Sequence, residues 1–97
     1  MRCLSTRGQA PEVPLALAIA AGLAPDGGLY VPPTLPLVKL DPAPLPAIAA
    51  SLLAPFFAND TLGAQLPVIC ANAFSFDAPL TPLGQDFLLE LFHGPTA

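Results

Sequence analysis

Proline is the residue that most limits what this chain can fold into. Fourteen of the 97 residues are proline, and they are spread along the whole sequence. Proline has no backbone N–H and crowds the preceding turn of a helix, so it ends or kinks helices and interrupts strands. Six prolines fall within residues 32–46 alone. We therefore expect an extended loop there, which wraps the surface of the domain.

The first helix is predicted from the apolar segment that follows the first prolines. It should begin near Pro11 or Glu12, because proline is tolerated in the first turn and an acidic side chain suits the positive end of a helix. It should run to about Ala21, since Gly22 can adopt the left-handed conformation of a C-terminal cap.

Two further helices are predicted in the middle of the chain. One covers about residues 47–57, and Pro55 is expected to bend it or end it. The other runs from about residue 61 to 74, with Asp60 as its N-cap. Pro67 lies inside that third helix and is expected to kink it.

Short strands are predicted at both ends of the chain. Residues 2–5 and 29–31 have strand composition, and residues 80–83 and 87–92 suggest a hairpin joined by Gly84-Gln85-Asp86. With three helices, these strands indicate an α+β fold with a small mixed or antiparallel sheet. We expect the last strand to lead into the turn formed by His93-Gly94-Pro95-Thr96.

Composition allows one small domain and predicts an excess of apolar surface. Apolar residues make up 54% of the chain and charged residues 10%, which argues against gross disorder. A domain of 97 residues has much surface for its volume, so these side chains are not all expected to fit inside. A tight alanine-rich core is one interpretation. The favoured one is an apolar face that rests on another domain or associates with a second copy.

Charge argues against nucleic acid and anionic lipid as partners. The chain has three basic residues, Arg2, Arg7 and Lys39, and a formal net charge of −4, so no basic patch can form. The apolar segment 14–24 is too short to span a membrane, and as a secretory signal it is poorly placed behind Glu12 and two prolines. We predict a cytoplasmic protein.

The two cysteines and the single histidine do not predict a metal site. Cys3 and Cys70 lack any short metal-binding spacing and are too few for a disulfide scaffold. Both are interpreted as small buried apolar side chains, with a disulfide or a reactive thiol as the minor alternatives.

His93 is the best single candidate for chemistry that the residues themselves offer. It lies at a predicted strand end beside Gly94 and Pro95, where functional loops often start, although a histidine satisfying a local turn is the commoner case. Glu90 either points to solvent by strand alternation, as is usual, or is a buried acid with a partner. No complete nucleophile–base pair, carboxylate pair or phosphate-binding loop is evident.

Three motifs, in this order, give the chain a resemblance to a known family. They are Ser5-Thr6-Arg7-Gly8, the segment Gly22-Leu23-Ala24-Pro25-Asp26-Gly27-Gly28-Leu29-Tyr30-Val31-Pro32, and Glu90-Leu91-Phe92-His93-Gly94-Pro95-Thr96. Together they resemble the amino-terminal domain of threonine synthase, over almost the whole of residues 1–97. The resemblance implies an enzyme that depends on pyridoxal phosphate and converts O-phosphohomoserine and water to threonine and phosphate. In that family the cofactor ring acts as an electron sink and the protein orients it.

The resemblance also implies roles for individual residues. His93, Gly94, Pro95 and Thr96 would line the wall of the active site. Ser5, Thr6 and Arg7 are less certain: Arg7 would either meet a phosphate or carboxylate or, as we slightly favour, tie the N-terminal segment to its neighbours.

The chain departs from the family in lacking the lysine that holds the cofactor. In the family this lysine follows the His-Gly-Pro-Thr turn within a few residues, whereas Lys39, the one lysine here, lies in the proline-rich loop. We therefore expect a fragment that is inactive alone, binds no cofactor covalently, contains no catalytic residue of its own and has the remaining catalytic domains as its partner. The alternative is a non-catalytic interaction module that covers an apolar surface on another protein.

Overall fold

The computed structural model describes residues 1–95 of the chain, and it has an α+β fold. In chain order the elements are β1 (Arg2–Ser5), β2 (Val13–Pro14), α1 (Leu15–Ala21), β3 (Tyr30–Val31), α2 (Leu45–Leu53), a 3₁₀ turn (Gly63–Gln65), α3 (Leu66–Ala73), β4 (Leu80–Leu83) and β5 (Asp86–Leu89). Every strand pairing is antiparallel: β2, β1 and β3 form one sheet in that order, and β4 pairs with β5 in the other. The predicted fold class is confirmed.

The first helix begins later than predicted because the residues before it form a strand. Val13 pairs with Cys3 and Pro14 pairs with Arg2, so this segment is held extended at the edge of the sheet. Pro14 then serves as the N-cap of α1. Its missing N–H costs nothing at an edge or at a helix start, which is why proline is tolerated at both. The predicted start at Pro11 or Glu12 is wrong, while the predicted end at Ala21 and the position of the cap at Gly22 are confirmed. Gly22 has a φ of 75° but a ψ of −58°, so it does not adopt the left-handed helical conformation that was expected.

Helix α2 begins two residues before the predicted start at residue 47 and ends four residues before the predicted end at residue 57. It starts after Pro44, with Pro46 in its first turn, where the absent N–H would have had no partner. It ends at Leu53, before Pro55, and residues 54–59 form turns. The expectation that Pro55 ends the helix is confirmed, and the predicted extension to residue 57 is wrong.

Helix α3 also begins later than predicted, and Pro67 does not kink it. The helix starts at Leu66 after the 3₁₀ turn, with Gln65 as its N-cap, so Pro67 lies in its first turn. Asp60 is not the cap of this helix. Its carboxylate accepts hydrogen bonds from the backbone N–H of Leu62 at 3.0 Å and of Ala16 at 3.1 Å, and it therefore joins the start of α1 to the loop before α3.

The hydrophobic core lies between α2 and α3. Ala49, Leu66 and Cys70 are buried there, and partly buried apolar side chains pack around them: Ala50, Leu53, Phe57 and Phe74. Cys3 is also buried, and neither cysteine forms a disulfide, as predicted for small apolar side chains. The proline-rich segment between β3 and α2 has no helix or strand, which agrees with the predicted loop.

The β4–β5 hairpin stands apart from this core. All eight of its strand residues are exposed, on both faces of the ribbon. Leu83 pairs with Asp86, so the connection is Gly84–Gln85 alone and β5 ends at Leu89 rather than at residue 92. The molecule is elongated, with principal extents of 49 × 27 × 25 Å and a radius of gyration of 16.2 Å, against about 12–13 Å for a compact domain of this length.

Candidate functional site

The first two motifs of the resemblance meet at the carboxylate of Asp26. The hydroxyl of Ser5 donates to this carboxylate at 2.7 and 2.8 Å from its two oxygens. The backbone N–H groups of Gly28 and Gln9 also donate to it, at 2.9 and 3.0 Å. Ser5 is the one buried polar side chain among the described residues, 7% exposed. Asp26 therefore holds the end of β1 against the turn that precedes β3.

Gly28 packs so closely against β1 that no side chain fits there. A Cβ at this position would overlap Ser5 Oγ and lie 3.0 Å from both Asp26 Oδ1 and Thr6 Oγ1. Gly28 does not have a positive φ, so the requirement for glycine is steric. The close approach of the two segments is what brings the Ser5 hydroxyl within hydrogen-bond distance of the carboxylate.

Thr6 and Arg7 complete the connection between these segments. Thr6 donates its backbone N–H to the carbonyl of Leu29 at 2.9 Å, and its hydroxyl accepts the N–H of Leu29 at 2.9 Å. The guanidinium of Arg7 donates to the backbone carbonyl of Asp26 at 3.0 Å. These contacts favour the structural interpretation of Ser5, Thr6 and Arg7. A contact of Arg7 with a substrate phosphate stays a prediction.

Hydrogen bonding stabilises the charged form of Asp26. The bonds from Ser5 and then from Gly28 lower the pKa of its carboxyl below the usual 3.8, against a smaller opposing effect of desolvation, and Gln9 and Arg7 lower it further. The pKa of Asp60 is lowered as well, first by the N–H of Leu62. Both carboxylates therefore accept hydrogen bonds from backbone N–H groups of their own turn and of another segment.

A second cluster lies at the end of the hairpin, just before the predicted active-site turn. Glu90 accepts a hydrogen bond from the hydroxyl of Thr81 on one carboxylate oxygen, and its other oxygen lies 3.0 Å from Nε2 of His93. The bond from Thr81, then that from His93, lowers the pKa of the Glu90 carboxyl. The side chain of Glu90 is 21% exposed and that of His93 39%. Glu90 is therefore a partly buried acid with partners, the less usual of the two alternatives.

His93 and Gly94 each pack against an aromatic ring. The ring of Phe92 lies 4.4 Å from that of His93, centroid to centroid. A Cβ on Gly94 would come within 2.5 and 2.6 Å of two carbon atoms of Phe76. Pro95 is exposed, and Thr96 lies outside the described residues. That the last strand leads directly into a His-Gly-Pro-Thr turn stays a prediction, because β5 ends at Leu89.

The sequence missed the roles of Asp26 and Glu90 for different reasons. Asp26 bonds its own turn at Gly28, which is a local contact, but its bond to Ser5 joins residues 21 positions apart and has no local signal. Glu90 and His93 are only three positions apart. In a strand that ran to residue 92, side chains at this spacing would point to opposite faces, so the predicted strand gave no reason to pair them. Among residues 1–95, no hydrogen bond or ion pair joins the Asp26 cluster to the Glu90 cluster.

The cations among residues 1–95 are not gathered into a site that would hold pyridoxal phosphate. Lys39 is exposed in the proline-rich loop, and Arg2 is occupied with Glu12, its Nε lying 3.7 Å from that carboxylate. Arg7 donates to the turn at Asp26. Among residues 1–95, the contacts of Arg2 and Arg7 are thus with Glu12 and Asp26 and not with the His93–Pro95 segment, and we assign no chemical step of the cofactor to this chain.

Among residues 1–95 no helix has the length and apolar character needed to cross a membrane. Within the same range no three histidine, cysteine or acidic side chains converge as metal ligands do.

Comparisons with known proteins agree with the motifs. The family model described as the threonine synthase N terminus matches residues 2–74. The threonine synthase of Pseudomonas aeruginosa is 42% identical over 99% of this chain and 23% of its own length, and that of Saccharomyces cerevisiae is 34% identical over 95% and 22%. A pyridoxal-phosphate-bound threonine synthase from Brucella melitensis superposes with a TM-score of 0.85 at 34% identity, covering 98% of this chain and 23% of that one. The chain thus spans about a quarter of the length of these relatives.

Proposed function

Because the chain belongs to the family of threonine synthase N-terminal regions, we propose that residues 1–97 serve as the amino-terminal domain of an enzyme that converts O-phospho-L-homoserine and water to L-threonine and phosphate. The observation that carries this proposal is the match in both sequence and fold. The family model covers residues 2–74, and the likeness to the Brucella melitensis enzyme extends over 98% of the chain.

Pyridoxal phosphate enters the proposal through the relatives. The Brucella melitensis enzyme is pyridoxal-phosphate-bound, and about three quarters of its length lies outside the aligned part. Since the described cations of this chain are not gathered into a cofactor site, we propose that the cofactor site lies in that remaining part. The domain alone is then expected to be inactive, and its catalytic partner is the rest of the enzyme.

Within the complete enzyme, the two clusters are proposed to have different tasks. Ser5, Thr6 and Arg7 bind Asp26 and the turn that follows it, so their task is to fix the fold of the domain. His93, Gly94, Pro95 and Thr96 are proposed to line the active-site wall. In support, the side chain of His93 is partly exposed, and the close approach of Gly94 to Phe76 fixes the path of the backbone.

The exposed hairpin is proposed to be the surface that packs against the catalytic domains. Leu83 and Phe87 of the hairpin are each more than 60% exposed, which is unfavourable unless another surface covers them. We also place the protein in the cytoplasm, where buried, unpaired Cys3 and Cys70 remain reduced. The exposed hairpin is also compatible with the second candidate, an interaction module that covers an apolar surface on a different protein.

A chimaeric enzyme tests the proposed function. Residues 1–97 would replace the aligned quarter of the Pseudomonas aeruginosa relative, and threonine formation from O-phosphohomoserine would be measured. We expect threonine formation well above that of the relative without its N-terminal quarter, because the exchanged segments are 42% identical. The matched control is the relative with its N-terminal quarter removed, which should be inactive.

If the chain is instead an interaction module, the chimaera should form no threonine. A chimaera that is soluble and binds pyridoxal phosphate, yet forms no threonine, would exclude the proposed function. Binding of the 97-residue chain to the truncated relative, added as a separate polypeptide, would instead support the hairpin as the surface that the catalytic part covers.

A further inference from the structure

Three contacts immobilise the segment that carries the only histidine of the chain. Glu90 lies 3.0 Å from Nε2 of His93, the ring of Phe92 packs on the imidazole, and Phe76 lies where a side chain at residue 94 would be. Together they fix both the position of the ring and the direction in which it faces.

The carboxylate of Glu90 is itself held from both sides. One of its oxygens accepts the hydroxyl of Thr81 on β4, and the other meets His93. Its backbone N–H donates to the carbonyl of Pro79 at 2.9 Å, which fixes the main chain at the same point. The carboxylate therefore cannot rotate away from the imidazole without breaking its bond to Thr81.

The chemistry of this pair decides which ring nitrogen carries the proton. An ionised carboxylate only accepts hydrogen bonds, so Nε2 must be the donor. In the neutral ring the lone pair is then on Nδ1, which becomes a hydrogen-bond acceptor. A carboxylate that sets the tautomer of a histidine acts through that histidine without touching the reacting atoms.

We propose that Glu90, held by Thr81, is a positioning residue that keeps His93 in the Nε2–H tautomer and presents Nδ1 as a hydrogen-bond acceptor in the active-site wall. The assignment of His93 to that wall rests on the proposed function. The tautomer itself does not, and it can be measured in the 97-residue chain. Glu90 is thereby distinguished from the neighbouring acid Asp86, which is exposed on the same hairpin.

Nitrogen-15 NMR of the imidazole tests the tautomer directly. The chain has one histidine, so the ring signals need no assignment. On the alkaline plateau of the ring signals, where the imidazole is neutral, we expect wild-type His93 to be entirely Nε2–H. Glu90→Gln should give a mixture of both tautomers, because an amide can donate or accept. Thr81→Val should give a smaller shift in the same direction, and Thr81→Ser should restore the wild-type signals.

The control for this measurement is Asp86→Asn, which removes a charge from the same hairpin and should leave the tautomer unchanged. Amide signals of Leu80 and Leu89, which pair across the hairpin, report whether each variant keeps its local fold. A mixture of tautomers in the folded wild type, or full Nε2–H in Glu90→Gln, would overturn the proposal.

The chimaeric enzyme then tests the consequence for catalysis. Glu90→Gln should lower kcat on the order of tenfold or more while changing KM little, because a misoriented group next to the reacting atoms acts on the chemical step. If Asp86→Asn lowered kcat as much as Glu90→Gln does, the effect of Glu90 would be a general structural one and the proposed positioning role would be wrong. An inactive wild-type chimaera would contradict the proposed function while leaving the tautomer result intact.

Discussion

At the scale of single residues, the contact between Gly28 and Ser5 decides the geometry of the N-terminal half. A methyl group at residue 28 would overlap the Ser5 hydroxyl, which is the main side-chain donor to Asp26. We expect Gly28→Ala to lower the free energy of unfolding by about 1–3 kcal/mol, the usual cost of overpacking a close contact. Urea denaturation followed by circular dichroism would measure it.

Two companion variants make this prediction specific. Gly8 has a φ of +71° and open space around it, so Gly8→Ala carries backbone strain without overlap. The combination of Gly28→Ala with Ser5→Ala should cost less than the sum of the single variants, since the second change removes the overlapping oxygen. Strict additivity would show that the overlap is not the cause.

The lowered pKa of Asp26 predicts how stability depends on pH. A carboxyl whose pKa is lower in the folded than in the unfolded chain stabilises the fold fully above its unfolded-state pKa, here about 3.8. This contribution is lost as the pH falls through the folded-state pKa. The melting temperature should therefore drop between about pH 5 and pH 2. Asp60 and Glu90 contribute with the same sign.

Asp26→Asn should reduce that dependence. At pH 7 the variant should melt at a lower temperature than the wild type. Its melting temperature should fall less on acidification, because the charge that the fold stabilises is absent. Asp41→Asn, which changes an exposed acid in the proline-rich loop, is the control and should follow the wild-type curve. Parallel acid curves for the wild type and Asp26→Asn would contradict the assignment.

At the scale of elements, the packing of α2 against α3 forms the buried apolar cluster of Ala49, Leu66 and Cys70, and prolines set where both helices start. Pro46 and Pro67 each lie in a first turn, where no hydrogen bond is lost. Sequence pattern predicted that these helices exist, but it placed Pro67 inside α3. The difference arises because the 3₁₀ turn before Leu66, stabilised by contacts of Asp60 with a distant part of the chain, has no local signature.

Leu66 should be the most sensitive position of that helix pair. It is 4% exposed and packs against Ala49 and Cys70. Leu66→Ala should lower the free energy of unfolding by about 2–5 kcal/mol through lost burial and the cavity left behind. Val68 on the same helix is 64% exposed, and Val68→Ala should change stability by no more than about 0.5 kcal/mol. Similar urea midpoints for the two variants would contradict this placement of the core.

At the scale of the whole molecule, the hairpin makes the shape elongated and leaves apolar side chains uncovered. We predict that the isolated 97-residue chain self-associates through Phe87 and Leu89, which lie on one face of β5 and are 64% and 52% exposed. Sedimentation velocity over a concentration series would detect this association. A clean monomer at high concentration would count against it.

A double substitution separates this association from folding. Phe87→Thr with Leu89→Thr keeps strand-forming residues on the same face. It should abolish self-association while leaving the melting temperature of the domain nearly unchanged, because the hairpin lies apart from the core between α2 and α3. A large loss of stability would mean that the hairpin packs on the core.

The sequence by itself determined the family, the α+β class, the unpaired cysteines and the excess of apolar surface, because motifs, composition and proline positions are local properties. Only the tertiary structure decided that Ser5 binds Asp26, that Asp60 joins α1 to the loop before α3, and that Glu90 is shared by Thr81 and His93. The partners in the first two bonds are 21 and 44 positions apart, and no periodicity connects them. Such contacts form only when separate segments pack, since the close approach at Gly28 and the pairing of β4 with β5 bring the side chains within reach.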